Sequence, residues 1–253
     1  MYDDLDRPPL RAAPLARALA PDGWRVEVLA ATPSTNAAVA DRARNGEAAG
    51  LVVVAEQQTA GRGRLDRTWV TPARAGLTFS VLLRPTLPAA DWGWVPLLAG
   101  LAVARAISAR AELDATLKWP NDVLIADRQV CGVLAEVPAP GAVVVGIGLN
   151  VTTRRDELPV ETATSLQLEG AASTDRDTLL RAVLRELTDV MADPVAARDD
   201  YRERCSTIGR QVRLELPDGA VTGVAERVDD DGRLVVDGSA YGAGDVVHLR
   251  PLS

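Results

Sequence analysis

The chain has 253 residues, 47% of them apolar and 25% charged, with a net charge of −7. That length suits one large domain or two unequal ones with a sizeable core, and the acidic balance argues against DNA or RNA as the main partner. One histidine, His248, and two distant cysteines, Cys131 and Cys205, argue against a histidine-based triad, a multi-histidine zinc site and a disulfide framework.

Residues 1–23 carry prolines at 8, 9, 14 and 21, which leaves room for a short helix and none for a helix-turn-helix module. This N-terminus is acidic and unlike a signal peptide, and no apolar run is read as a membrane span, so the chain reads as cytoplasmic with free thiols. Residues 24–30 alternate as a strand does, with Val26 and Val28 on one face. Pro33 ends that strand, Ser34 or Thr35 can cap a helix over 37–44, and Asn45-Gly46 closes it. Leu51–Ala55 is apolar throughout, as in a strand covered on both faces. A loop follows that packs two glycines, three arginines and one aspartate into residues 61–67. Residues 77–83 form the next strand, and 96–107 are apolar almost all round, which predicts a buried helix with proline at its start. Residues 113–119 lead into KWPNDVLI and a turn at Asp127-Arg128. Residues 129–137 and 142–151 then pair as a hairpin.

A helical stripe of Leu179, Leu180, Val183, Leu184, Leu187, Val190 and Met191 marks a helix over 175–191, with Thr174 and Asp177 at capping-box spacing. Another helix is expected over 195–205. Beyond Gly209 the texture changes to short β-like runs at 212–216, 221–228, 234–237 and 246–249, separated by PDG, DDDG and DGSAYGAG. Turns this dense predict a small antiparallel barrel, and the change places a domain boundary near Ser206. Asp229, Asp230 and Asp231 read as a solvated turn rather than a metal site. No P-loop text occurs, and GIGLN at 146–150 lacks the third glycine of a dinucleotide fingerprint.

The cationic loop is suited to holding an anion. Glycines let backbone approach a ligand closely, and guanidinium forks grip phosphate and carboxylate. Ser34, Thr35 and Asn36 read either as a helix cap or as hydrogen-bonding groups for a buried polar ligand. Four texts fall in order: STN at 34–36, QxxGRGR within 58–64, KWPND at 118–122, and GxGxN at 146–150 after CGVLAE. Together they resemble the bacterial biotin protein ligases over most of residues 24–168, including ATSL at 163–166, and the β-rich tail is similar to that family's C-terminal SH3-like domain.

The resemblance implies an α+β fold: a central mixed or antiparallel sheet with helices, of the class II synthetase kind, plus a small SH3-like β-barrel. It implies a catalytic domain at 1–206 and an SH3-like domain at 207–253, in the short form without an N-terminal DNA-binding domain. The implied reaction joins biotin and ATP, with Mg²⁺, into biotinyl-5′-AMP. The biotin then passes to a lysine of a carboxylase's biotin carboxyl carrier domain. Neither nucleic acid nor membrane is implied as a partner, and the chain would be a monomer or a ligand-dependent homodimer.

Carried over residue by residue, Lys118, Arg64 and Asp122 would be catalytic. Ser34, Thr35, Asn36, Gln58, Gly61, Arg62, Arg64, Lys118 and Gly132 would face biotin. Arg64, Arg67, Trp69, Lys118, Asn121 and Asn150 would face ATP, with Trp69 stacked near adenine and Asn150 at its edge. Asp122 is a candidate Mg²⁺ contact or a guide for the incoming amine, and reads equally as a turn carboxylate. A lipoate-type ligase shares the fold and the adenylate chemistry, and a non-catalytic biotin sensor is a further alternative; GRGR with KWPND looks like the biotin branch. One departure is Leu65-Asp66, where family loops carry a small or basic residue and glycine. Asp66 can pair with Arg64 or Arg67. The loop is expected to close over the adenylate.

Overall fold

The computed structural model describes residues 7–64 and 67–249. Helix α1 (Ala12–Leu19) leads to β1 (Arg25–Leu29), α2 (Thr35–Arg44), β2 (Leu51–Ala55), β3 (Gly76–Leu83) and α3 (Trp94–Ala111). Strands β4 (Thr116–Lys118), β5 (Asp122–Ile125), β6 (Arg128–Ala139) and β7 (Ala142–Asn150) follow, then α4 (Arg176–Ala192) and α5 (Pro194–Arg204). The first seven strands form one mixed sheet in the order β1-β2-β3-β7-β6-β5-β4, parallel only between β1 and β2. The tail is a five-stranded antiparallel sheet of β8 (Gln211–Leu216), β9 (Gly219–Val228), β10 (Leu234–Val236), β11 (Ser239–Tyr241) and β12 (Asp245–His248).

The period of two along the central strands builds two different faces. One face (Val52, Val54, Leu77, Phe79, Val81, Val145, Ile147, Leu149) packs with the all-round apolar α3 and the stripe of α4 into the main core. The other face is apolar only at one end, where Val39, Ala40 and Ala43 of α2 cover Leu51, Val53, Leu82 and Val144. Farther along, that face carries Thr78, Ser80, Gly132, Gly146, Gly148 and Asn150. In register, Gly132 and Thr78 both lie beside Gly148, and Ser80 lies beside Gly146. Missing side chains at alternate positions leave a hollow there instead of a second core.

Three details depart from the sequence reading. The cap of α4 is Asp175, which accepts from Thr178 N at 2.6 Å, while Asp177 instead accepts from Arg11 Nε at 2.5 Å. A short strand, β11, lies in the DGSAYGAG segment that reads as turn. The stretch Ala89–Ala111 is long and apolar enough to cross a membrane by length and composition, which corrects the expectation that no run reaches that length. Here its apolar surface is spent on the core: Leu97, Leu98, Leu101, Val103 and Ile107 are all buried against the sheet and α4.

Candidate active site

The hollow opens into a cavity of about 980 Å³ between the glycine-lined sheet face, α2, the arginine loop, the β4–β5 hairpin and β12. At its inner end the turn into α2 presents three polar residues. Ser34 is the N-cap, accepting from Ala37 N at 3.4 Å, so the helix-cap reading holds for it even as it lines the cavity. Thr35 N and Oγ1 donate to Gln58 Oε1 at 2.7 and 3.0 Å. Asn36 lies across Gly146, and its Nδ2 donates to Glu136 Oε2 at 2.7 Å and to Leu134 O at 3.2 Å. Glu136 also accepts from Arg62 Nη2 at 3.0 Å.

The arginine loop folds back on itself: Arg62 bridges Thr68, Trp69 N donates to Gly61 O at 2.9 Å, and Gly63 N to Arg67 O at 2.6 Å. Gly61 is buried beneath Trp69's carbonyl and does not line the cavity, so its contribution is the close backbone approach. Asp66 lies outside the described residues. Trp69 lies over the glycine floor: a Cβ at Gly148 would sit 2.5 Å from Trp69 Cε2, and one at Gly132 3.1 Å from Cζ3. Trp69 Nε1 is buried with no acceptor among the described residues. Gly148→Ala should therefore push the indole off the sheet while the protein still folds. Affinity of the cavity for the ligands that the sequence resemblance implies should fall at least about tenfold in binding measurements. Unchanged constants would mean the indole's seat over Gly148 is irrelevant to binding.

At the outer end, the β4–β5 hairpin turns through Trp119-Pro120-Asn121. Leu117 and Trp119 are buried, and alternation turns Lys118 the other way, toward the cavity. Lys118 Nζ lies 3.4 Å from Asp122 Oδ2, and Asp122 Oδ1 accepts from Gln129 Nε2 at 2.6 Å. Burial raises the Asp122 carboxyl above the usual carboxylate range, against the pull of Lys118 and the Gln129 hydrogen bond. Arg64 Nη1 donates to Asn121 Oδ1 at 3.3 Å and to Gly244 O at 3.0 Å, and burial lowers its guanidinium while Asp245 and Asp122 oppose that. Asn121 also donates to Val133 O, so its amide serves as a bracket for Arg64. Arg67 pairs with Asp245. Asn150 lines the cavity but spends its amide N–H on Thr164 O at 3.0 Å, tying down the ATSL segment.

Every candidate except Gly61 thus lies on one cavity wall. Several lining or supporting residues were given no site role by the sequence reading: Ser80, Glu136, Gln129, Gly146, Gly148, Arg210, Asp245 and His248. Ser80 and the glycines left a trace, as polar or missing side chains at alternate positions of otherwise apolar strands. Asp245 and His248 come from the small sheet and Arg210 from the residue before it, and only tertiary contact brings them to the site.

His248 is half-buried and lines this cavity. Its Nδ1 faces Arg210 Nη1 at 3.3 Å, so Nδ1 must accept and Nε2 carries the proton toward Thr207 Oγ1 at 3.0 Å. Burial, Arg210 and Lys118 push its pKa down to about 4. A depressed histidine contributes stability that is full above its unfolded pKa near ~6.5 and is lost as pH falls toward the folded value. The urea midpoint should drop between about pH 6.5 and 4 in the wild type. The drop should shrink in His248→Gln; equal slopes in both would remove this linkage.

Burial pushes both the Cys131 and Cys205 thiols up, and both are free, so neither suits a nucleophile. The chemistry available is positioning and charge stabilisation: a polar inner wall, a glycine floor on which the Trp69 indole lies, and Lys118, Arg64 and Arg67 at the outer end.

Comparison with known proteins gives this geometry a family. Residues 28–151 match the Biotin/lipoate A/B protein ligase family, and residues 207–249 match the Biotin protein ligase C terminal domain. The chain is 45% identical to a biotin–[acetyl-CoA-carboxylase] ligase of Mycobacterium tuberculosis, over 96% of this chain and 97% of that one. It is 34% identical to the enzyme of the same name from Paracoccus denitrificans, over 84% and 94% of the two chains. A biotin protein ligase from Aquifex aeolicus, solved in complex with biotin and ATP, superposes with a TM-score of 0.73 at 28% identity, covering 89% of this chain and 98% of that one. With family matches on both sheets and a relative this similar along nearly its whole length, the chain belongs to the biotin protein ligases.

Proposed function

We propose that this protein makes biotinyl-5′-AMP from biotin and ATP and passes the biotin to a lysine on the carrier domain of a biotin-dependent carboxylase. The observation that carries the reading is the single cavity with a hydrogen-bonding inner wall and a cationic outer end, joined by a floor of glycines. A neutral bicyclic head group fits against the inner wall at Ser34, Thr35, Asn36 and Gln58, beside the Trp69 indole that covers Gly132 and Gly148. The ligand's carboxylate then points toward Lys118 and Arg64.

In the first step a biotin carboxylate oxygen attacks the α-phosphorus, a C–O–P bond forms, and pyrophosphate leaves. No enzyme nucleophile is required, so the protein's share is to hold two anions together and offset the charge that builds on phosphorus. Lys118 serves as a point charge between carboxylate and α-phosphate, and Arg64 and Arg67 as forks on the phosphates. Trp69, already seated over the glycines with an unused N–H, covers the ligand and excludes water, and Asn150 lies at the adenine side. In the second step a lysine amine attacks the acyl carbon and AMP departs, with Lys118 stabilising the carbonyl oxygen as it gains charge and Asp122 near enough to steer the amine.

Mg²⁺ enters as an ion carried by the phosphates of ATP. Among the described residues no group of three or more His, Cys, Asp or Glu converges, and both Asp122 oxygens are already engaged, by Gln129 and Lys118. A carboxylate of this kind suits an ion held mainly by substrate oxygens, reached through water. The reading divides the chain into a catalytic unit at 1–206 and an SH3-like unit at 207–253, and places the reaction in the cytoplasm. The test is pyrophosphate release from Mg²⁺-ATP with biotin or lipoate, followed by transfer to a purified carrier domain. Release with biotin alone and labelling of the carrier lysine are expected; release with lipoate alone, or with neither acid, would overturn the reading.

A further inference from the structure

Ser80 touches no ligand in the mechanism above, yet it is the junction of the polar inner wall. It is fully buried on β3, with Oγ 2.7 Å from Thr35 Oγ1 and 2.6 Å from Asn36 Oδ1. A hydroxyl has one proton to give. Asn36 Nδ2 is fixed by two acceptors, Leu134 O and Glu136 Oε2, so Oδ1 is the atom that faces Ser80, and it can only accept. The Ser80 proton is therefore committed to Asn36.

At the other end, Thr35 N donates to Gln58 Oε1 at 2.7 Å, which fixes that amide's oxygen and leaves its Nε2 outside the network. The hydroxyl proton of Thr35 has two acceptors, Ser80 Oγ at 2.7 Å and Gln58 Oε1 at 3.0 Å. Either choice keeps it inside the network. Thr35 Oγ1 thus meets a ligand with lone pairs, and Gln58 Nε2 meets it with N–H groups. Glu136, paired with Arg62 at 3.0 Å, holds the far end together with Leu134 O: both accept from Asn36 Nδ2 and so keep Oδ1 turned to Ser80.

We infer that Ser80 and Glu136 are positioning residues that set the donor–acceptor polarity of the head-group wall, an acceptor at Thr35 beside a donor at Gln58. That pattern matches a cyclic urea, whose ring N–H donates and whose C=O accepts, and it discriminates against a cyclic guanidine, which donates at both places. The inference rests on the biotin reading above.

The test uses the full-length chain and three acids: biotin, desthiobiotin (same urea, no sulfur ring) and 2-iminobiotin (the urea oxygen replaced by an N–H group). Ser80→Ala leaves a buried acceptor unpaired, and Glu136→Ala removes the shorter of the two hydrogen bonds that hold Asn36 Nδ2. In both, KM for biotin should rise about tenfold with KM for ATP unchanged and kcat within about twofold. The preference for biotin over 2-iminobiotin should fall about tenfold, while the preference over desthiobiotin should hold. Ser80→Thr, which returns a hydroxyl, should recover the wild-type ratio. Glu136 is partly exposed, so its variant tests the inference even if Ser80→Ala folds poorly. Wild-type ratios in both variants, or a proportional loss for all three acids, would overturn it. A wild-type chain that makes no adenylate from biotin would overturn the functional reading instead.

Discussion

Lys118→Ala is expected to slow biotin-dependent pyrophosphate release by about 10²–10³-fold, the usual effect of removing one preorganised charge from a developing anion. The loss should fall on kcat more than on KM for biotin, because the inner wall that holds the head group does not involve this side chain. Lys118 is held where it is by its neighbours: Leu117 and Trp119 are each 1% exposed, and Trp119 Nε1 donates to Gly232 O at 3.0 Å. Removing the ammonium also leaves the buried Asp122 carboxyl without its nearest positive charge, which raises that carboxyl further. Lys118→Arg should rescue poorly, since a planar fork cannot replace a point charge in the same space. Single-turnover formation of biotinyl-AMP is the decisive measurement. A rate within about threefold of wild type, in a variant of unchanged thermal stability, would remove Lys118 from the chemistry.

Arg176→Ala is expected to cost about 3–5 kcal/mol of folding stability, the penalty for leaving a buried charge without its partner. Arg176 and Glu56 side chains are 5% and 10% exposed and meet at 2.7 Å. Arg176 also donates to Gly76 O at 3.2 Å and to Pro8 O at 2.6 Å, and Glu56 accepts from Leu10 N at 2.6 Å. The pair therefore ties the N-terminal segment, the start of β3 and the first turn of α4 to one point. Glu56 stands two residues before Gln58, so loosening it also frees the base of the arginine loop. Glu56→Gln alone should cost nearly as much, while Glu56→Gln with Arg176→Ala should cost less than the sum of the two by removing both charges. Urea unfolding of the four proteins checks this. Additive single losses in the double variant would mean that the pair does not couple.

The legible part of this fold had periodicity behind it. The stripe of α4, the all-round apolar surface of α3 and the continuous apolar run of β2 each follow from burial demands that act within one element. Capping was less secure: Asp175, Thr174 and Asp177 all have the right chemistry, and only the packing of Asp177 against Arg11 leaves Asp175 to cap. A hydropathy reading also cannot separate a core helix from a membrane span at Ala89–Ala111, because both bury the same apolar surface.

The site divides along the same line. Residue types and spacing alone point to anion binding at Gly61-Arg62-Gly63-Arg64 and to polar recognition at Ser34-Thr35-Asn36, and the ordered texts identify the family. What only the tertiary structure decided is who stands beside whom. Strand register puts Gly132, Gly146 and Gly148 side by side on one face and Ser80 behind Asn36, a juxtaposition set by hydrogen bonds between strands far apart in the chain. The contacts of the small sheet, Gly244 O on Arg64 and Asp245 on Arg67, span more than a hundred residues. No local propensity encodes such contacts, because their free energy exists only once both sheets are folded and packed.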